Sequence, residues 1–255
     1  MRVRAVVAYD GTDYAGFQRQ ADIATVQEAL ETALRRVTQE SIRIVAAGRT
    51  DAGVHAVGQV IAFDTSWSHG LSDLERAMNA VLPEDIAVRR LEATATGFHP
   101  RFDAKRRWYR YRVYCASVRS PLTRRYSLHV PYSLDLEPMA EAAEALVGAH
   151  DFATFGQPPQ GEVTVRRVFR AEWQEEPDCG GPFDHGQRGG ALLTFDIEAN
   201  AFLYRMVRSL VGTLLDVGQE RMSIDAFQDA FASCERSRAG KTVAPHGLCL
   251  MEVTY

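Results

Sequence analysis

One order of local patterns, strand, helix, strand, strand, helix, strand, runs through the first part of this 255-residue chain and returns with insertions in the second. No other feature restricts the fold as much. Residues 2–9 alternate as a strand, and Thr25-Val26-Gln27-Glu28 has capping-box form ahead of apolar residues at helical spacing. Residues 42–47 and 57–64 read as two strands around a glycine-rich loop, Ser72 as the cap of a second helix, and residues 86–91 as a fourth strand. Downstream, residues 108–115 alternate, Asp135 opens a helix that Gly148 can close, and residues 165–173 and 192–198 follow as strands. Residues 201–217 then read as a long helix, 223–234 as a shorter one and 248–255 as a last strand. This is the βαββαβ order of the ferredoxin-like unit, so an α+β fold is expected: two ferredoxin-like halves forming an extended, mainly antiparallel sheet with helices on one face. The expected domains are residues 1–104 and 105–255, and the Gly- and Pro-rich stretch 175–190 is read as a mobile surface hairpin.

Composition narrows the function classes. With 46% apolar and 24% charged residues the chain can bury a core, and no run of about 18 apolar residues or signal-type leader is present, so a cytoplasmic protein without membrane spans is expected. The four cysteines lie far apart without a C-x-x-C pair and the seven histidines are scattered, which suggests neither a disulfide framework nor a zinc site. The net charge of −4 argues against a uniformly basic face. Its distribution is uneven. Between Phe98 and Arg125 nine basic residues stand against the single acid Asp103, a local balance of +8, interleaved with Trp108, Tyr109, Tyr111 and Tyr114. Guanidinium forks grip phosphates and rings stack on unpaired bases, so this segment suits RNA; a solvated strand face in a chain with 27 Arg and 2 Lys is the other reading.

Chemistry is concentrated in Ala47-Gly48-Arg49-Thr50-Asp51-Ala52-Gly53-Val54-His55-Ala56. Gly48 and Gly53 would let the backbone turn sharply, with Asp51 at the tip and Arg49 two residues before it. A carboxylate beside a guanidinium is expected to stay ionised and so to be available as a nucleophile. From spacing alone, an Asx-turn in a tight strand connection is the better account of Asp51.

The run from Gly48 to Ala56 resembles the catalytic motif of the tRNA pseudouridine synthase A family. Tyr9-Asp10-Gly11-Thr12 with Gly16-Phe17-Gln18, Asn79-Ala80-Val81-Leu82-Pro83, Tyr109-Arg110-Tyr111, Asn200-Ala201-Phe202 with Met206-Val207-Arg208, and Gly247-Leu248-Cys249-Leu250 resemble the same family in order. The resemblance implies a homodimer that converts uridines 38 to 40 of the tRNA anticodon arm to pseudouridine without metal or cofactor. It implies Asp51 as catalytic aspartate, Arg49 as the arginine associated with base flipping, Tyr109 as the stacking tyrosine, Arg208 as the basic partner of the aspartate and Leu248 as an apolar residue packed on the site. Phe17 stands where the family more often has Trp, and Trp108 where Arg is common. Arg205 and Arg208 are three apart on one helix, so a pair of solvated arginines is the competing reading. A non-catalytic tandem RNA-binding module would share the βαββαβ order, but the aromatic RNP signature is absent.

Overall fold

A computed structural model describes residues 1–158, 161–176 and 190–255. Most of the stretch 175–190 therefore lies outside the described residues. Ten strands and five α-helices are found among them, in an α+β arrangement with mainly antiparallel pairing. The chain divides into two compact units, Met1–Arg107 with Cys249–Tyr255, and Trp108–Leu248. No helix of the described residues is long and apolar enough to cross a membrane.

The first unit has the order β1 (Arg2–Tyr9), α1 (Val26–Thr38), β2 (Val45–Ala46), β3 (His55–Asp64), α2 (Leu71–Val81) and β4 (Ile86–Ala93), closed by β10 (Leu248–Thr254, from Cys249 onward). β1 is central, antiparallel to β3 and β4, and β10 runs parallel to β3 with Cys249 opposite His55. Thr25 caps α1 by accepting the Glu28 N–H, as its capping-box form predicts. Leu30 and Leu34 of α1 and Leu74 and Met78 of α2 are fully buried, the stripes that drive both helices onto the sheet.

Two expectations are corrected here. The strand read over residues 42–47 shrinks to Val45–Ala46, because the Ile44 N–H is given to the buried Glu31 carboxylate on α1 (3.2 Å) instead of to a ladder. The second helix starts at Leu71 with Gly70 as its cap. Gly70 carbonyl accepts from Asp73 and Leu74, and from the Trp67 indole at 3.1 Å, which leaves Ser72 inside the first turn.

The second unit comprises β5 (Arg106–Cys115, from Trp108 onward), β6 (Leu128–Val130), α3 (Leu136–Glu144), β7 (Gly148–Asp151), β8 (Val165–Glu176), β9 (Ala191–Ala199), α4 (Met206–Gly218) and α5 (Ile224–Ala232). β9 lies between β5 and β8, β7 lies beyond β8, and α3 packs on β8, α4 and α5. Asp135 and Ser223 cap α3 and α5 through their side chains. The helix read over 201–217 begins only at Met206. Arg205 takes a left-handed φ of 60°, and the Tyr204 N–H is spent on the Gln157 carbonyl at 2.8 Å, so residues 201–205 cannot enter the helical ladder.

Candidate active site

The loop between β2 and β3 is held by a mixture of main-chain and side-chain hydrogen bonds. The Ala47 N–H bonds Val60 carbonyl (2.8 Å), the Gln59 amide donates to Gly48 carbonyl (3.0 Å), and Arg107 donates to Ala47 carbonyl (3.2 Å). The segment after β1 grips the other side. Phe17 N–H donates to Thr50 carbonyl (3.1 Å), the Tyr9 hydroxyl pairs with that of Thr50 (2.8 Å), and Gly53 N–H donates to Tyr14 carbonyl (3.3 Å). A Cβ on Gly16 would fall 2.7 Å from Thr50 carbonyl, and one on Gly11 would overlap Val54 carbonyl, so both glycines permit a backbone approach that no other residue allows. Of the two loop glycines, Gly53 has the left-handed φ of 74°, whereas Gly48 merely has open space around it.

The consequence is a fixed loop with Asp51 half-buried and Arg49 exposed. The turn is closed by the Asp51 main-chain carbonyl, which takes the Val54 N–H at 3.1 Å. Asx-turn geometry is present at Asp10, whose carboxylate accepts the Thr12 N–H at 3.0 Å. Tyr14 is itself anchored. Its hydroxyl donates to Asp85 at 2.7 Å, and burial, that hydrogen bond and nearby carboxylates raise its pKa well above the usual phenol range.

Tyr109, Arg208 and Leu248 belong to the second unit. The half-buried Tyr109 ring meets Phe202 edge-on, with centroids 5.1 Å apart and an interplanar angle of 87°. Arg208, in the first turn of α4, donates from Nε to Val243 carbonyl (2.9 Å). The buried Tyr111 hydroxyl donates to the neighbouring Ala244 carbonyl (2.8 Å), and Gly247 lies against its ring, so Arg208, Tyr111 and the buried Leu248 share the segment 243–248. Burial raises the Tyr111 phenol pKa, and the nearby Arg208 charge opposes that rise. Arg205, by contrast, is exposed and lies over the Tyr204 ring at 4.9 Å. The two arginines are therefore not an equivalent solvated pair.

The basic strand is only partly a solvated face. Arg110 makes a two-pronged bond to the buried Asp196 (Nε 2.9 Å, Nη2 2.7 Å), which also accepts the Trp108 indole N–H (2.8 Å). Arg107 donates to the carbonyls of Ala47 and Arg101. Arg101, Lys105, Arg119 and Arg124 are exposed. Sequence reasoning missed Phe202, His55 and Asp196 as supporting residues, since their partners are remote in the chain or on another element.

Two ferredoxin-like units, one of them carrying a half-buried aspartate in a loop pinned by its neighbours, define the class as an α+β protein. Comparison with known proteins is specific. The family model described as tRNA pseudouridine synthase covers residues 5–103 and 142–255. The tRNA pseudouridine synthase A of Chloroflexus aurantiacus (strain J-10-fl) is 45% identical over 254 residues, covering 99% of this chain and 88% of the relative. That of Moorella thermoacetica is 43% identical, covering 99% of each chain, and that of a Geobacillus species (strain WCH70) is 41% identical, covering 100% of this chain and 98% of the relative. The chain belongs to the tRNA pseudouridine synthase family and is an isomerase.

Proposed function

We propose that the enzyme isomerises uridines in the tRNA anticodon arm, at positions 38 to 40, with Asp51 as nucleophile, acting as a cytoplasmic homodimer that needs no metal or cofactor. The observation that carries this reading is Asp51 itself, half-buried in a loop whose backbone is pinned on both sides. The relatives' shared name supports the tRNA substrate.

Pseudouridine formation breaks the bond from N1 to C1′, turns the uracil, joins C5 to C1′, and exchanges the C5 proton for one taken up at N1. No electron leaves or enters. Attack of Asp51 on C1′, its addition to C6, and removal of the C2′ proton each open a route to N1 detachment. Each needs one carboxylate. The target must first leave its stack, at a cost of about a few kcal/mol, and the exposed Arg49 is suited to fill the vacated space. Tyr109 offers a ring for stacking and a phenol to relay the C5 proton, Arg208 supplies a positive charge for the carboxylate, and Leu248 an apolar wall.

The direct test is tritium release from tRNA labelled at uracil C5, followed by mapping of the modified positions. Modification confined to another arm of the tRNA would overturn the anticodon assignment. Tyr109→Phe keeps the ring and its edge contact with Phe202, so kcat should fall at least about tenfold while KM for tRNA stays within about twofold. An unchanged kcat would restrict Tyr109 to stacking.

Binding makes a separate prediction. The Arg119→Ala/Arg124→Ala variant removes two exposed cations from a stretch without carboxylates, so tRNA affinity should fall about 5- to 20-fold. The slope of log affinity against log salt should shrink by about one to two units. A slope equal to wild type shows that these arginines face only water.

A further inference from the structure

The loop that bears Asp51 ends at His55, and His55 connects it to a pair of residues that the reaction itself does not call upon. The His55 Nδ1 atom is 3.1 Å from the Asp10 carboxylate and 3.1 Å from the main-chain nitrogen of Gly11. One ring nitrogen serves one of these neighbours at a time: bare, it accepts the Gly11 N–H; protonated, it donates to Asp10. In either state the imidazole joins the first residue of β3 to the turn that follows β1. The His55 side chain is only 7% exposed and that of Asp10 19%, so this junction is largely shielded from water.

That turn is also what holds the loop. Asp10 shapes it by accepting from both the N–H and the hydroxyl of Thr12. Gly11 then abuts Val54 carbonyl, Tyr14 carbonyl takes the Gly53 N–H, and Gly16 and Phe17 close on Thr50. Asp85, Asp13 and Asp10 all act on Tyr14 of this turn, Asp85 by accepting its hydroxyl hydrogen bond. The main-chain contacts between the turn and the loop fall at residues 50 to 54, the backbone of Asp51 included. A small rotation of the turn therefore displaces the carboxylate bodily, without unfolding the sheet below it.

We propose that Asp10 and His55 are positioning residues: together they set the turn after β1 against the Asp51 loop and so hold the carboxylate at its working position. The inference rests on Asp51 being the nucleophile. A misplacement of about 1 Å in a reacting group costs on the order of a hundredfold in rate while leaving substrate affinity largely intact. The signature is thus a loss in kcat alone.

The test uses full-length His55→Ala, Asp10→Ala, His55→Asn and the Asp10→Ala/His55→Ala double variant, assayed by tritium release beside wild type, with tRNA affinity and circular dichroism measured for each. His55→Ala and Asp10→Ala should each lower kcat about 10- to 100-fold with KM within about twofold. Asn places an amide where Nδ1 stood, so His55→Asn should recover to within about fivefold of wild type. The double variant should be no worse than the poorer single one, because the two side chains form one contact. Losses that multiply in the double variant, a His55→Asn as slow as His55→Ala, or a rise in KM at unchanged kcat would each overturn the proposal. Should His55→Ala fail to fold, Asp10→Ala and His55→Asn carry the test through the same kcat and KM comparison. A wild type that releases no tritium removes the functional reading and this inference with it, whereas an active wild type with unaffected variants removes the inference alone.

Discussion

Asp51→Asn is expected to fold, to bind tRNA with wild-type affinity and to release no tritium, a loss of at least about 10⁴-fold in kcat, or about 5.5 kcal/mol of barrier. Asn replaces one carboxylate oxygen with an amide nitrogen at nearly constant volume, and the loop is pinned by its neighbours on both sides. Its path is fixed by main-chain bonds from Phe17 to Thr50, from Gly53 to Tyr14 and from Val54 to Asp51, by the hydroxyl pair of Tyr9 and Thr50, and by the close approach of Gly16. What changes is chemical. An amide is a poor nucleophile and a poor base, so all three routes open to the carboxylate close together. Tyr109, Arg49 and the exposed cations are untouched, and binding should persist. Turnover near wild type would remove Asp51 from its role, and a matching loss of tRNA affinity would make it a binding residue instead. Asp51→Ala should behave as Asp51→Asn does, since the function resides in the charge.

Most local signals in the chain are readable from its sequence, although the cap read at Ser72 falls to Gly70. Thr25 and Asp135 cap their helices as short-range patterns predict, and the alternation over Arg2–Tyr9 becomes a strand with those bounds. Failures occur where a remote partner takes a backbone group. Glu31 captures the Ile44 N–H and shortens a strand, while Gln157 captures that of Tyr204 and delays α4 to Met206. The Asp51 loop was legible as a motif, but its anchoring was not. His55 and Asp10 are 45 positions apart and Trp108 and Asp196 are 88 apart, so no periodicity connects them. Charge was the least legible property of all. A segment with a local balance of +8 looks like one RNA-facing stripe, yet Arg110 spends its charge on Asp196 and Arg107 spends its donors on carbonyls.

Removing Asp196 should cost about 3 kcal/mol of stability, equivalent to a fall in melting temperature of about 6 to 12 °C for a chain of this size. Asp196 is buried at 2% exposure and accepts three hydrogen bonds, two from Arg110 and one from the Trp108 indole. Asp196→Ala leaves the Arg110 guanidinium, only 22% exposed, with Glu176 at 3.6 Å, and leaves the Trp108 N–H without its acceptor. The Arg110 and Arg170 guanidinium groups both lie over the Trp108 ring, 5.5 and 4.8 Å from its centre, and Arg110 then loses the carboxylate that balances its charge. Arg110→Met should be as costly for the opposite reason, since it strands a buried carboxylate with one indole donor. A double variant, Asp196→Leu/Arg110→Met, removes both charges and fills the space with apolar groups, so it should recover more than half of either single loss. The same variant separates structure from RNA binding. If Arg110 works only within the fold, the double variant keeps the wild-type salt dependence of tRNA affinity. A slope reduced by about one unit would show that Arg110 also meets a phosphate. Tyr109 lies between Trp108 and Arg110 on β5, with its ring on Phe202, so it also reports on this clamp. With β5 held by apolar packing instead of the ion pair, kcat should stay within about threefold of wild type, and a larger fall would mean that the clamp sets the Tyr109 ring as well as the stability of the strand.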